Sequence, residues 1–399
     1  MRLLQIDTCL GTGSTGRITE SIAQLAQSQG WECFIVHGAR YVKRPSCISD
    51  VQSVSIVGEY VHFIEGLFFD NHGLSSRCAT RKVVKYIEEI KPDIIQLHCI
   101  HGYYLNYKIL FEYLNSTKIP IVWTFHDCWA FTGHCAHFVT TGCDKWKTEC
   151  YRCPEKKCYP KSFVDCSRRN YSLKKALFTA NQNLHIVPVS GWLKDFTRQS
   201  FLGDKDICVI KNGVDLTVFK PSEKARVRKF RVLGVSGVWT KSKGIEDFYR
   251  LSELLDDEKF EIVLVGLSGE QMQKLPKGIV GIQHTESVKE LASLYASAEV
   301  FVNPTYADTF PTVNMEALAC GTPVITYQTG GSPEAVSPET GWVLRQGDVD
   351  GIASIIKDMA NRNMIEIVAQ RNACRERAEK EFDKNKCFEK YLELYSSLL

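Results

Sequence analysis

In the second half of the chain, two carboxylates have the residue types and setting needed to hold a phosphorylated, hydroxyl-rich molecule. Asp308 and Glu316 stand in the run Asp308-Thr309-Phe310-Pro311-Thr312-Val313-Asn314-Met315-Glu316-Ala317-Leu318-Ala319-Cys320-Gly321-Thr322-Pro323. The apolar residues Val300 to Asn303 just before it read as a strand. A helix is expected from Thr312, with Thr312 as its N-cap and Gly321 and Pro323 as its stop. The free amides of Thr312 and Val313 at that helix start, reinforced by the helix dipole, suit a diphosphate. Glu316, one turn in, is placed to accept bonds from ribose hydroxyls and Asp308 from sugar hydroxyls, since ionised carboxylates are strong acceptors. On residue types alone, a capped helix with two surface acids explains the run equally well.

Other candidates lie upstream. Gly237-Val238-Trp239-Thr240-Lys241-Ser242-Lys243-Gly244 follows an expected strand and opens a helix; Lys241 and Lys243 are either cations for a diphosphate or two exposed lysines on a turn. Gly11-Thr12-Gly13-Ser14-Thr15-Gly16-Arg17 is a Gly-rich strand-to-helix loop, which also fits dinucleotide-binding folds. The second strand, however, ends in Val36-His37-Gly38 without the acid that a dinucleotide ribose requires, which weakens an oxidoreductase reading. Thr124-Phe125-His126-Asp127 closes another strand; a neutral His126 can bond a sugar hydroxyl, with Asp127 orienting it. His98 and His101 follow the preceding strand. Cys135, Cys143, Cys150 and Cys153, the last two as C-x2-C, supply either four thiolates for a structural zinc or a set of buried free thiols.

Together these motifs resemble the retaining group 1 glycosyltransferases of the GT-B fold. Asp308 and Glu316, eight apart, with Gly321-Thr322-Pro323-Val324 and Gly330-Gly331-Ser332-Pro333-Glu334, are similar to that family's E-x7-E signature, with Asp in the first position. The stretch Gly237 to Gly244 is similar to its G-R-L-x-x-x-K-G motif; Lys243 matches the lysine and Val238 stands at the arginine position, so Lys241 is expected to supply the second cation. The cysteine run resembles an insert in the subgroup associated with colanic-acid-like exopolysaccharides. The resemblance implies two facing Rossmann-like, doubly wound α/β domains with a cleft between them. It implies transfer of a sugar, a hexose by expectation, from a nucleotide-diphosphate donor to a glycan in bacterial surface polysaccharide synthesis. It gives Glu316 the ribose, Asp308 and His126 the transferring sugar, and Lys243, Gly13 and Gly16 the donor phosphates; Asp127, His98 and His101, at the ends of neighbouring strands, are expected on the acceptor side. No cofactor is required for catalysis, and any zinc is structural.

The elements that must position these groups are legible in the apolar runs. Leu3 to Ile6, Cys33 to Val36, Ile94 to Leu97, Ile121 to Phe125 and His185 to Val189 read as buried strands with helices between them, the first helix running from near Arg17 to Gly30. Val232 to Val235, Ile262 to Val265, Val300 to Asn303 and Val324 to Thr326 repeat the pattern, with helices from near Gly244, Val288 and Thr312. The expected domains are 1–222, with a cysteine-containing insert at about 128–166, and 223–399, whose last helix from Cys387 either crosses back to the first domain or packs on its own.

A chain of 399 residues, 44% of them hydrophobic, fits two such domains. With 49 Lys and Arg against 46 Asp and Glu, the charge of +3 gives no reason to expect nucleic acid as a partner. Residues 143 to 175 are locally basic, with ten Lys or Arg against four acids, as either a solvated face or a contact with anionic headgroups. The start of the chain lacks a signal-peptide core, and sixteen cysteines in a long chain then imply a reducing, cytoplasmic setting, with peripheral contact at the inner membrane face and a lipid-linked oligosaccharide among the candidate acceptors. The rival readings are a non-catalytic glycan-binding or scaffold protein and another enzyme on the same fold, such as a sugar phosphorylase or epimerase.

Overall fold

The computed structural model of the chain describes residues 1–39, 46, 48–222 and 229–399. Residue 223, the expected start of the second domain, lies outside them. The chain divides into two units, Met1–Lys211 with Phe388–Leu399, and Asn212–Cys387. The division comes ahead of the Ser222 suggested by the Pro-containing segment because residues 214 to 219 are bonded into the second unit. Val214 N donates to Phe382 O at 2.7 Å, Lys384 N to Val214 O at 3.1 Å, and the Arg375 guanidinium to Phe219 O at 2.9 Å.

The first unit contains seven parallel strands: β1 (Arg2–Ile6), β2 (Glu32–His37), β3 (Ser49–Gln52), β4 (Ile94–Leu97), β5 (Ile121–Phe125), β6 (Leu184–Pro188) and β7 (Asp206–Ile207). Their order is β3-β2-β1-β4-β5-β6-β7. The second unit contains six: β8 (Phe230–Val235), β9 (Phe260–Val265), β10 (Ile279–Ile282), β11 (Val300–Asn303), β12 (Val324–Tyr327) and β13 (Gly341–Leu344), in the order β10-β9-β8-β11-β12-β13. Both sheets are doubly wound, and their central strands are rich in buried Ile, Val and Leu because helices cover both faces, the buried Gln5 and Gln96 of β1 and β4 bonding each other at 2.8 Å. In each, the strand order reverses beside the first strand, between β1 and β4 and between β8 and β11. Outside the carboxyl ends of strands at such a switch point, diverging connections leave a crevice for a ligand.

The expected strands are present to within two residues at each end. The first helix, Gly13–Ser28, starts one turn ahead of Arg17 because Gly13, at φ 66°, turns the chain into it. The last helix, Lys384–Leu398, begins in the second unit and has its remainder in the first. There the Thr124 hydroxyl donates to Tyr391 Oη at 3.2 Å and the Tyr395 hydroxyl to Gln96 Oε1 at 2.5 Å.

Candidate functional site

In the second unit, the loops after β8 and β11 carry Lys243 and Asp308, and the chain ties these loops together. Trp239 is buried and its Nε1 donates to Val265 O at 2.8 Å, anchoring the first loop on the sheet. Tyr306 N donates to Ser242 O at 2.8 Å, joining the second loop to the first. Residues Lys241–Lys243 form one 3-10 turn, closed by Gly244 at φ 76°. Any side chain at Gly244 would run into the Pro304 carbonyl, so the close approach of the two loops requires glycine there.

The result is a contact between two of the sequence candidates: Lys243 Nζ lies 2.7 Å from Asp308 Oδ2, with both groups partly open to solvent. Asp308 Oδ1 accepts the Phe310 amide at 3.3 Å. The helix Thr312–Ala319 follows directly. Thr312 is its first residue and not its N-cap; the capping position is Pro311, which has no side-chain acceptor. The Asn314 amide donates back to Pro311 O at 3.3 Å, while no side chain caps the Thr312 and Val313 amides ahead of it, which leaves that end of the helix suited to an anion. Glu316 is buried and accepts the Tyr295 hydroxyl at 3.0 Å. Asn314 fixes the helix to the sheet, accepting from Asn303 Nδ2 at 2.8 Å and donating to Ser332 Oγ at 2.9 Å. Lys241 stands apart from this group, 83% exposed and 3.2 Å from Glu246.

In the first unit, the histidines gather beyond the ends of β4 and β5. His98 Nδ1 is 3.1 Å from His126 Nε2, with the rings stacked. The Gln5 amide nitrogen faces His98 Nε2 at 3.4 Å, so that nitrogen is the acceptor. The His98 proton then sits on Nδ1 and points at His126 Nε2, and the His126 proton sits on Nδ1. Burial, then the proximity of His126, hold His98 well below its usual range; burial, only partly offset by Asp127, holds His126 at about 4. Both rings are neutral at pH 7. Asp127 orients a different ring from the one expected: its Oδ2 is 2.9 Å from His101 Nε2, and its Oδ1 accepts the Trp129 amide at 2.8 Å. Burial opposes the Asp127 charge, but His101 and these bonds outweigh it and hold the carboxyl at about 2. His101 Nδ1 also meets the Tyr159 hydroxyl at 3.0 Å. Gly13 and Gly16 lie in the first turn of the first helix, and Gly16 lets that turn close on Cys9.

The insert's cysteines line one pocket: Cys135, Cys143, Cys150 and Cys153 surround it together with His134 and Trp146. Cys153, hydrogen-bonded to Cys135, is lowered to about 7. Among the described residues, the group with three ligand atoms all within 4.8 Å of one another is a different one, Cys99, His101 and Asp127. The His101–Asp127 hydrogen bond accounts for the closeness of two of them.

Several participants carry no sequence signal of their own. Lys174, counted among the basic residues, is buried and not solvated; its Nζ donates to Trp129 O at 2.7 Å and Thr132 O at 3.0 Å, 3.3 Å above the Trp129 ring, and burial lowers it to about 7. His134 is buried against Asp70 with Nδ1 2.6 Å from Oδ1. Asp7, at the end of β1, is buried and raised to about 6 by desolvation, although Thr19 Oγ1 and the Thr8 amide donate to it.

The chain is similar to known proteins over most of its length. Residues 15–218 match the model described as Glycosyltransferase Family 4, and residues 229–362 the model described as Glycosyl transferases group 1. The chain is 23% identical over 381 residues to the putative colanic acid biosynthesis glycosyl transferase WcaC of Escherichia coli K12, covering 90% of each. In fold it is similar to a sucrose-phosphate synthase from Thermosynechococcus elongatus (TM-score 0.75, 17% identity, 100% and 98% of the two chains). It is also similar to Anabaena HepE solved with UDP and glucose (TM-score 0.69, 18% identity, 100% of both chains). The chain is a glycosyltransferase and belongs to the group 1 family of the GT-B fold.

Proposed function

We propose that this enzyme transfers a hexose from a nucleoside-diphosphate sugar to a growing glycan, with retention of anomeric configuration, in the synthesis of a bacterial surface polysaccharide. The observation that carries the reading is the Lys243–Asp308 contact of 2.7 Å ahead of a helix whose second turn presents Glu316. The reaction breaks the bond from the anomeric carbon to the phosphate oxygen, forms one to an acceptor hydroxyl, and releases that hydroxyl's proton. Charge grows on the leaving diphosphate, where the Lys243 ammonium and the amides of Thr312 and Val313 meet it, so the chain itself supplies the stabilising cation. Glu316 takes the ribose hydroxyls and Asp308 those of the sugar. The neutral His126 offers a hydrogen bond to a sugar hydroxyl, and His98, which bonds its other nitrogen, sets its tautomer. The colanic acid relative and the neighbour solved with UDP and glucose support the donor class and the pathway class. The acceptor is a glycan or lipid-linked oligosaccharide, and the setting cytoplasmic.

The test is thermal unfolding with a panel of nucleoside diphosphates and their sugars. One nucleotide should stabilise the native chain and fail to stabilise Glu316→Ala. A folded native chain that no nucleotide stabilises would overturn the reading in favour of a glycan-binding scaffold.

We also propose that the insert takes one structural zinc from Cys135, Cys143, Cys150 and Cys153. The four cysteines share one pocket, and beside them the buried His134 Nε2 has no hydrogen-bond partner among the described residues while its Nδ1 is held by Asp70. A carboxylate-oriented imidazole of this kind serves a metal as ligand or close neighbour.

A further inference from the structure

The helix Ile56–Phe69 is turned inside out. Its inward residues include Glu59 and His62, both buried, and each is held by specific bonds: Glu59 Oε1 accepts the Ala39 amide at 2.5 Å, and His62 meets Ser76 Oγ at 2.8 Å and the Gly73 amide at 3.1 Å. Its outward residues are apolar. Ile56, Val57, Tyr60, Val61, Ile64 and Phe68 are each more than half exposed, Val57 to 71%. At 3.6 residues per turn they cover an arc of about 140°. The stripe continues onto the insert, where Phe163 stacks edge-on against Phe68 at 5.3 Å and its amide donates to Leu67 O at 2.8 Å.

An apolar face this continuous marks a contact surface, and the charges at its rim say which kind. Lys157 and Lys161, six and two residues before Phe163, are exposed, and Lys156 Nζ donates to Phe163 O at 3.3 Å. The two glutamates of the helix are occupied, Glu59 as above and Glu65 by the Ser75 hydroxyl. Both keep their charge, but Glu59 is buried and Glu65 half-buried, so the exposed charges at the rim are those of the lysines. Two copies of the chain meeting on this face about a two-fold axis would bring lysines toward lysines, which disfavours a dimer contact.

We propose that this face, helix 56–69 with Phe163 and its flanking lysines, docks on a bilayer of anionic phospholipid, with the apolar stripe in the headgroup boundary and Lys156, Lys157 and Lys161 on the phosphates. Apolar burial and lysine attraction then act together, as in interfacial helices generally. The inference is independent of the donor reading, because vesicle binding involves no sugar transfer.

The experiment is flotation of the full chain with phosphatidylcholine vesicles, with and without phosphatidylglycerol. The native chain should float with the anionic vesicles, with neutral vesicles binding on the order of 100-fold more weakly if the three lysines each contribute the usual amount. Ile64→Glu with Phe68→Glu, both at exposed positions, should stay in the dense fraction while keeping the native melting curve. Lys157→Glu with Lys161→Glu should lose the preference for anionic lipid, and this second pair keeps the test valid if the first misfolds. Absence of the native chain from the anionic vesicles, equal binding to neutral ones, or unchanged flotation of Ile64→Glu with Phe68→Glu would overturn the proposal. So would a native dimer in sedimentation that this pair converts to a monomer, which would assign the face to a second copy.

Discussion

Replacing Lys243 by alanine isolates the cation at the donor site. The ion pair with Asp308 is 2.7 Å long but open to solvent, with the lysine 34% and the aspartate 21% exposed, so its loss should lower stability by no more than about 1 kcal/mol. The cost to diphosphate binding is larger, because a charged hydrogen bond to phosphate contributes about 1.5–3 kcal/mol. Taking about 2 kcal/mol, the dissociation constant rises roughly 30-fold. With nucleotide at about 100 times the native dissociation constant, the native chain gains about 2.7 kcal/mol on binding and the variant about 0.9 kcal/mol. The ligand-induced rise in melting temperature should fall to about a third, while a nucleoside without phosphates should stabilise both proteins equally. Full stabilisation of Lys243→Ala by the diphosphate would refute the assignment.

Three further predictions test other parts of the account. Gly330, at φ 54°, lies against the Asp308 carbonyl oxygen, and a methyl group there cannot fit without moving the loop. Gly330→Ala should cost about 1–2 kcal/mol of stability for the left-handed conformation alone, and the displaced Asp308 should lower kcat/KM by on the order of 100-fold, a loss that steady-state kinetics would detect. The raised Asp7 carboxyl, near 6 in the fold against 3.8 in an unfolded chain, contributes stability that is present below pH 3.8 and lost as pH rises through about 6. Urea unfolding at a series of pH values should therefore show Asp7→Asn gaining up to about 3 kcal/mol relative to the native chain between pH 4 and pH 8. Elemental analysis of protein purified without chelator should find about one zinc per chain, and Cys150→Ser with Cys153→Ser should remove it together with part of the melting temperature. A metal-free native chain would reject the zinc site.

The donor-side constellation was legible because its chemistry lies in short local runs: Asp308 to Glu316 and Gly237 to Gly244 each occupy one loop and the start of one helix. The nine strands anticipated are runs buried on both faces, whose composition marks them directly. The four not anticipated, β3, β7, β10 and β13, are the outermost strands of the two sheets. An edge strand is covered on fewer sides, so its residues need not be continuously apolar; β7 is two residues long, and β10 and β13 are mostly only half-buried. Contacts between distant residues left no trace in the sequence. His98 lies on His126 across 28 positions, and Asp127 bonds His101 and not its sequence neighbour, because the sheet sets β4 beside β5 and brings their terminal loops together. Lys174 looked like one more solvated lysine because burial of an amine depends on carbonyls more than 40 residues away. The apolar helix 56–69 was missed for the opposite reason: an apolar run suggests a core, and only the structure shows that its polar side is the buried one.

The central claim, sugar transfer from a nucleoside-diphosphate donor held by the second unit, is tested most directly by incubating the chain with labelled nucleotide sugars and glycan or lipid-linked acceptors. Label appearing in glycan with an equal amount of nucleoside diphosphate, an anomeric configuration matching the donor, and loss of both products in Glu316→Ala is the predicted result. Transfer by Glu316→Ala at the native rate, or a product of inverted configuration, would contradict it.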